Sequence, residues 1–187
     1  MKKQLSITLL STLLLNSGSA FAQGQWNFMA GMDADYVAEP TLSLVVGNLS
    51  PDIDGANNDT VSGIEFSLNC PLLQPPTNKI RQQVSYTRYS DSGLKINSFE
   101  INPHYVIESA SGFGVGFGPG IGYVNAEAGN QSESMLALQL GVSLHYKATD
   151  NLFLGAEARY QATQGDNFAG QKGADNFRGT IKVGYSF

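Results

Sequence analysis

Two histidines, a string of carboxylates and a run of glycines are the parts of this chain whose types and spacing could do chemistry. Nucleophilic catalysis needs a Ser or Cys within reach of a His that a carboxylate orients. Glu100, Asn102 and His104 stand two apart, so in an extended strand they share one face. His145 lies far along the chain, and neither imidazole stands in a local Ser/His pattern resembling a known catalytic one. A hydrogen-bonded set of interior polar groups therefore outweighs a catalytic constellation. The segment SPDIDGANNDT offers Asp52, Asp54, Asn57 and Asp59 as hard oxygen ligands for a divalent cation. It lacks the Glu that closes a twelve-residue calcium loop, and it reads as a solvated acidic loop with no metal or cofactor. Cys70, the single cysteine, precedes Pro71 and reads as an incidental thiol.

The glycine run is GFGVGFGPGIGY, residues 112–123. Phosphate-cradling fingerprints space their glycines unevenly, so that a strand turns into a helix N-terminus. Here Gly112, Gly114, Gly116, Gly118, Gly120 and Gly122 all fall on even positions. No two are five apart, and period two belongs to an extended strand. One face of that strand is bare.

The same alternation fills the rest of the chain. NFRGTIKVGYSF sets Phe177, Gly179, Ile181, Val183, Tyr185 and Phe187 against Arg178, Thr180, Lys182, Gly184 and Ser186. NLFLGAEARYQA sets Leu152, Leu154, Ala156, Ala158 and Tyr160 against Gly155, Glu157, Arg159 and Gln161, with Phe153 out of pattern. SMLALQLGVSLHYK, FEINPHYVI, RQQVSYTRY and GIEFSLN repeat the scheme. Each is a strand with one apolar and one polar face. Residues 26–47 keep one parity through Trp26, Phe28, Tyr36, Leu42, Leu44 and Val46. Counted once they give eight strands, and counted as two around Glu39-Pro40 they give nine. Loop lengths favour eight: segments near 48–61, 90–95, 125–134 and 163–175 would share one end, three of them long and polar, while of 70–79, 108–112 and 148–151 at the other end two are tight turns.

The first 22 residues carry Lys2 and Lys3, an apolar run from Leu5 to Leu15, and Ala20-Phe21-Ala22. That layout is a secretory signal peptide cleaved after Ala22, leaving 23–187 as one domain. Without Lys2 and Lys3 the 11 basic residues become nine against 16 acidic ones, a formal charge of −7. Nucleic acid is an unsuitable partner for such a chain. One Cys excludes an internal disulfide framework. No later apolar stretch has membrane-helix length, so a membrane location would require a closed sheet.

Which face looks inward decides between a soluble barrel and a membrane barrel. Aromatics on the apolar face gather toward strand ends: Trp26, Phe28, Tyr105, Phe113, Tyr146, Tyr185 and Phe187 at one end, Tyr36, Tyr86, Phe99, Tyr123, Tyr160 and Phe177 at the other. Two such girdles suit the two interfaces of a bilayer. The polar face carries Glu65, Glu100 and Glu157 together with Arg81, Arg159, Arg178 and Lys182, and both His104 and His145. Opposite charges gathered in a lumen can pair, and the bare glycine face leaves them room. A bulky residue at Gly118 is therefore expected to disturb folding.

The chain's last residues, Tyr185-Ser186-Phe187, resemble the C-terminal signal by which outer-membrane barrels are recognised for assembly. With the signal peptide and strand count, residues 23–187 resemble the small eight-stranded OmpA/OmpX-like, porin-family barrels of the Gram-negative cell envelope. The resemblance implies an all-β, antiparallel, up-and-down transmembrane barrel in the outer membrane. It also implies contact with outer-membrane lipid and lipopolysaccharide, and passage by periplasmic chaperones and the barrel-assembly machinery. Tyr185 and Phe187 would carry the assembly signal. The expected role is structural or surface-interacting, with a lumen filled by side chains. A narrow pore, or a lipid A-modifying hydrolase or acyltransferase such as some small barrels are, stand as alternatives.

Overall fold

The computed structural model describes residues 25–165, 167–168 and 170–187; the expected signal peptide, residues 1–22, lies outside them. Eight antiparallel strands close into a barrel. They are β1 (Thr41–Pro51), β2 (Asp59–Asn69), β3 (Lys79–Asp91), β4 (Leu94–Glu108), β5 (Phe113–Ala128), β6 (Gln131–Lys147), β7 (Leu152–Gln164) and β8 (Asn176–Ser186). Each pairs with its sequence neighbour, and β8 closes the ring on β1 from Thr41↔Ser186 to Asn176↔Pro51. Closure removes every unpaired edge.

The expected parity sets the two faces. Leu44, Leu140 and Ile121 point outward, 72%, 65% and 59% exposed, while Glu100, Arg159 and Arg178 point inward at 0%, 1% and 4%. Along the strands, however, this polarity reverses. On β5 the outward side is apolar from Phe113 to Tyr123 and then becomes Asn125 and Glu127, just where the inward side changes from glycine to the buried Val124 and Ala126. The same exchange occurs on β1 at Asn48 and Leu49, on β2 at Ser62 and Val61, on β3 at Arg88 and Tyr89, on β4 at Asn97 and Ile96, and on β6 at Ser134 and Met135. A strand crosses the hydrocarbon of a bilayer in about 9–11 residues, and β6 has 17. The surplus lies at one end, where an apolar exterior has no lipid to meet and an apolar core becomes the stable arrangement.

Two expectations are corrected. Residues 26–40 are not part of the first barrel strand: Asn27–Phe28 pair with Leu73–Gln74, Ala30–Met32 form a 3₁₀ turn, and Met29 and Glu39 have positive φ. The Phe187 N–H bonds to the Pro40 carbonyl and the Asn69 N–H to the Ala38 carbonyl, and before them the chain lies across the mouth, where Asn27–Phe28 meet Leu73–Gln74. Trp26, Phe28 and Tyr36 accordingly leave the aromatic girdles. Secondly, the segments 90–95 and 125–134 are not loops of a long-looped end. β3 and β4 are joined at Ser92 and Gly93, both at positive φ (48° and 85°), and β5 and β6 at Gly129 (φ 57°) and Asn130. These are the two-residue hairpins that suit twisted strands, and they let the ladders run on through polar sequence. The long connections are 52–58 and 165–175 at this end, with 70–78 at the opposite one.

The glycine strand also differs in detail. Gly112 sits in the 109–112 turn with φ 80°. Pairing between β4 and β5 lapses from Ile101↔Ile121 to Tyr105↔Phe117, around Pro103, which has no N–H to give. There the two backbones close in, and a Cβ on Gly118 would lie 1.9 Å from the Pro103 carbonyl oxygen. The other glycines do make room for side chains: Ser143 and His104 at Gly116, Asn102 and Arg159 at Gly120, Gln139 and Glu100 at Gly122.

Candidate functional site

The lumen divides into three levels. At the long-stranded end an apolar layer contains Leu49, Val61, Tyr89, Ile96, Val124 and Met135, with Ile53 and Phe168 folded over it from the 52–58 and 165–175 loops. The second loop is held down by Asp175, whose carboxylate accepts the Thr163 N–H at 2.7 Å and the Thr163 hydroxyl at 2.9 Å.

Below this lies an ionic layer. Lys182 on β8 bridges Glu65 on β2 and Glu157 on β7, at 2.7 Å from the latter. Glu157 also accepts Arg159 Nε at 2.7 Å. Arg178 forms a two-pronged pair with Glu100 across the barrel and donates to Thr87 at 3.2 Å. Glu100 takes further bonds from Ser85 and Asn102, at 3.2 and 3.3 Å. Three carboxylates thus meet three cations, all at most 7% exposed. Such a set is tolerable in a buried interior because every charge is paired, and Glu100, Glu157, Arg159 and Arg178 take further hydrogen bonds.

The histidines extend this layer. Arg159 reaches His104 Nε2 at 3.0 Å, His104 Nδ1 lies 3.0 Å from Ser143 Oγ, and Ser143 Oγ lies 2.8 Å from His145 Nε2. A guanidinium can only donate, so His104 accepts at Nε2 and, as a neutral imidazole, donates from Nδ1 to Ser143. The Ser143 oxygen can accept a second bond, so its contact with His145 runs in either direction. The structure so brings Ser143 against both imidazoles, a grouping that the two-residue spacing of Ser143 and His145 on one strand face could have signalled. It is not a triad. His145 meets the edge of the Phe153 ring, at 5.5 Å between centroids, with no carboxylate bonded to it among the described residues, and Ser143 is buried.

The third level is the mouth at which both ends of the barrel sequence lie. Arg81 donates to the Glu39 carbonyl, Thr41 and Ser67 at 3.0–3.2 Å. Asn69 holds the Val37 carbonyl at 2.8 Å, and Lys79 bonds Glu39 at 2.9 Å. Burial pushes the Glu39 carboxyl up, but the bond and charge of Lys79 and the bond from Asn69 bring it net below its ordinary value. Residues 36–40 thereby fold across the opening. A cavity of about 150 Å³ remains among Arg81, Glu108, His145, Lys147 and Phe153.

Of the remaining singled-out residues, Tyr185 and Phe187 face outward, 54% and 71% exposed, with rings edge to face at 5.2 Å. Asp59 accepts the Thr60 N–H, and Asn57 bonds Asp91; among the described residues no three acidic, His or Cys groups gather as a metal would need.

The chain matches no family model and no curated protein. Solved structures do share its architecture. Neisserial surface protein A aligns over 81% of this chain and all of its own, with TM-score 0.63 and 16% identity. The fold is that of a small outer-membrane β-barrel. Ail, the attachment invasion locus protein of Yersinia pestis, aligns over the same shares with TM-score 0.55 and 16% identity. The N-terminal barrel domain of Pseudomonas aeruginosa OprF follows at 0.53 and 15%. At these identities the likeness concerns the fold and not the activity.

Proposed function

We propose that this protein is an integral outer-membrane barrel that acts as a closed scaffold, holding its loop end at the cell surface for structural or contact purposes. One observation carries the reading: an exposed apolar outer wall encloses a neutral, ion-paired interior, and the wall's polarity reverses where the strands outgrow a bilayer. Water around the whole barrel would leave residues such as Leu44, Leu140 and Ile121 exposed without gain. The paired layer and the apolar layer above it occupy the lumen in series, as expected of eight strands, whose interior is just wide enough for side chains. This supports a scaffold over a pore. The buried Ser143, whose two neighbouring imidazoles take no carboxylate bond among the described residues, supports it over a lipid-modifying enzyme.

The surface contact would differ from Ail's. Ail has been solved with the heparin analogue sucrose octasulfate. Here Asp52, Asp54, Asp59, Asp91 and Asp175 lie in or beside the loop-end connections, and a polyanion would be repelled from that crown.

Export by a signal peptide cleaved after Ala22, and assembly through Tyr185 and Phe187, complete the proposal. Mass analysis of the membrane-extracted protein checks the first; a Phe187 deletion that lowers the heat-modifiable fraction checks the second. The scaffold reading is tested in planar bilayers. Purified folded protein is expected to add no steady conductance, and sizeable stable channels would overturn it. A changed lipid A profile in cells expressing the protein, lost in Ser143→Ala, would instead establish the enzyme.

A further inference from the structure

The loop end carries a cup of about 270 Å³, open between the 52–58 connection and the tips of the β3–β4 and β5–β6 hairpins. Ile53 and Leu94, the most buried of its lining residues, belong to the apolar layer beneath, and Ala56 and Ala128 pack against that layer. Gly55, Gly93 and Gly129 also line it, and a Cβ added at any of them would meet nothing within 4 Å. The space between the three turns is therefore open, over an apolar base. Asp54 and Asp91 reach the lining from two different turns. Lys95, on the same hairpin as Asp91, is taken up by Glu127 at 3.2 Å, so it does not neutralise this rim.

The cup is shaped before any ligand arrives. Tyr89 donates to the Asn57 carbonyl at 2.6 Å, and Asn57 donates to Asp91 at 3.2 Å and to Ser92 at 3.3 Å. The Ala56 N–H closes a turn on the Ile53 carbonyl at 3.1 Å. These bonds tie the 52–58 connection to the neighbouring hairpin, so little ordering cost is left for binding.

An apolar base under a rim of two carboxylates matches a side chain that is aliphatic along its stem and cationic at its tip. Carboxylates on separate turns suit a compact charge whose three donors can be shared between them, more than a planar fork that needs both oxygens of one. Resting on the reading that this end makes contacts at the cell surface, we infer that the cup receives a lysine side chain of a partner polypeptide. Its four-carbon stem lies on Ile53, Leu94 and Ala128, and its ammonium donates to Asp54 and Asp91. Asp52, Asp59 and Asp175 at the same end add attraction at a distance. The opposite mouth supplies the contrast: its cavity of about 150 Å³ has Arg81 and Lys147 in its own lining, where a second cation is unwelcome.

The test is an NMR titration of isotope-labelled, folded protein in micelles, read at the Ala128 methyl and the Gly93 and Gly129 amides. The probes are Nα-acetyl-lysine methylamide, its uncharged norleucine counterpart, methylammonium, and Nα-acetyl-arginine methylamide. Saturable shifts are expected with the lysine probe. Norleucine lacks the charge and methylammonium the stem, and each is expected to bind about fivefold more weakly or worse. Asp54→Asn and Asp91→Asn should each weaken the lysine probe about two- to fivefold, the range of an exposed ion pair, and Ala56→Phe, which fills the cup, should abolish the shifts. Asp150→Asn at the opposite mouth removes the same charge and is expected to change nothing. Equal binding of norleucine, or by the Asp54→Asn/Asp91→Asn double variant, would sink the carboxylate contact. Equal binding of methylammonium would sink the apolar base, and equal binding of the arginine probe would overturn the choice of lysine. Failure of the surface reading shows separately: Ser92→Cys in a Cys70→Ser background is expected to take an impermeant maleimide on intact cells. No labelling there, with the micelle shifts intact, would remove the surface partner and leave the cup's chemistry standing.

Discussion

The ionic layer and the apolar layer are built on the same inward positions of the same strands, yet they obey different rules. In the ionic layer Lys182, Glu65, Glu157, Arg159, Glu100 and Arg178 are held by a few directed bonds. In the apolar layer Leu49, Tyr89, Ile96 and Met135 are held by packing that has no direction. Their surroundings explain the split. Where lipid covers the outer wall, apolar side chains gain nothing by turning inward, so the lumen is free to hold the polar groups that lipid would reject. Where water covers the wall, the hydrophobic effect claims the interior again. One ladder thus passes from membrane protein to soluble protein within a strand.

The comparison can be broken most forcefully in the ionic layer. Glu100→Leu strands Arg178 in the lumen and is expected to lower the unfolding free energy by about 3–5 kcal/mol, as removal of one partner of a buried pair does. The double variant Glu100→Leu/Arg178→Leu should regain much of that loss, because no lone charge is left. Urea unfolding of protein reconstituted in vesicles measures both; a double variant no better than the single one would show that shape, not charge, governs this layer.

A smaller loss is expected in the apolar layer. Ile96→Ala removes packing at a site 1% exposed and should cost about 2–4 kcal/mol through transfer and cavity terms. Neighbouring charges play no part, so added salt should leave that loss unchanged. Hydrogen exchange should rise at the Phe168 lid before it rises in the lower strands.

Gly118→Val probes the wall at the level of the ionic layer, in register with Gly141 and Arg159. Its Cβ meets backbone at Pro103 and not a movable side chain, so a destabilisation of about 1–3 kcal/mol and a lower refolding yield are expected. Gly122→Ala meets the flexible end of Gln139 at 2.8 Å and should be milder.

The smallest effect lies at the mouth, outside both layers. Glu39 has a folded-state pKa below its unfolded value of 4.5. Its pairing with Lys79 therefore stabilises the mouth above about that pH and is lost as pH falls through the lower folded value. Because both side chains are 31% exposed, under about 1 kcal/mol is at stake. Lys79→Ala should flatten the acid limb of a pH–stability curve by that amount.

Much of this was legible along the chain. Alternation from Thr41 to Phe187 identifies the strands, and the charges on one parity identify the interior. The apolar layer was legible too, since Leu49, Val61, Ile96, Val124 and Met135 fall on the lumen parity, but they lie within segments whose polar outward residues look like loops. What misled at residues 26–40 was parity continuous with β1 in a segment that pairs outside the barrel, with Leu73–Gln74, because alternation reports a face and not a neighbour.

By itself the sequence determined that the barrel has two faces, which side chains lie on each, and where tight turns are possible, since these depend only on the two-residue period of an extended chain. Tertiary structure alone decided that Lys182 meets Glu65, 117 positions away, that Arg178 crosses to Glu100, and that Ser143 sits between His104 and His145. Those pairings depend on the register at which β8 closes on β1, and closure is a property of the whole ring.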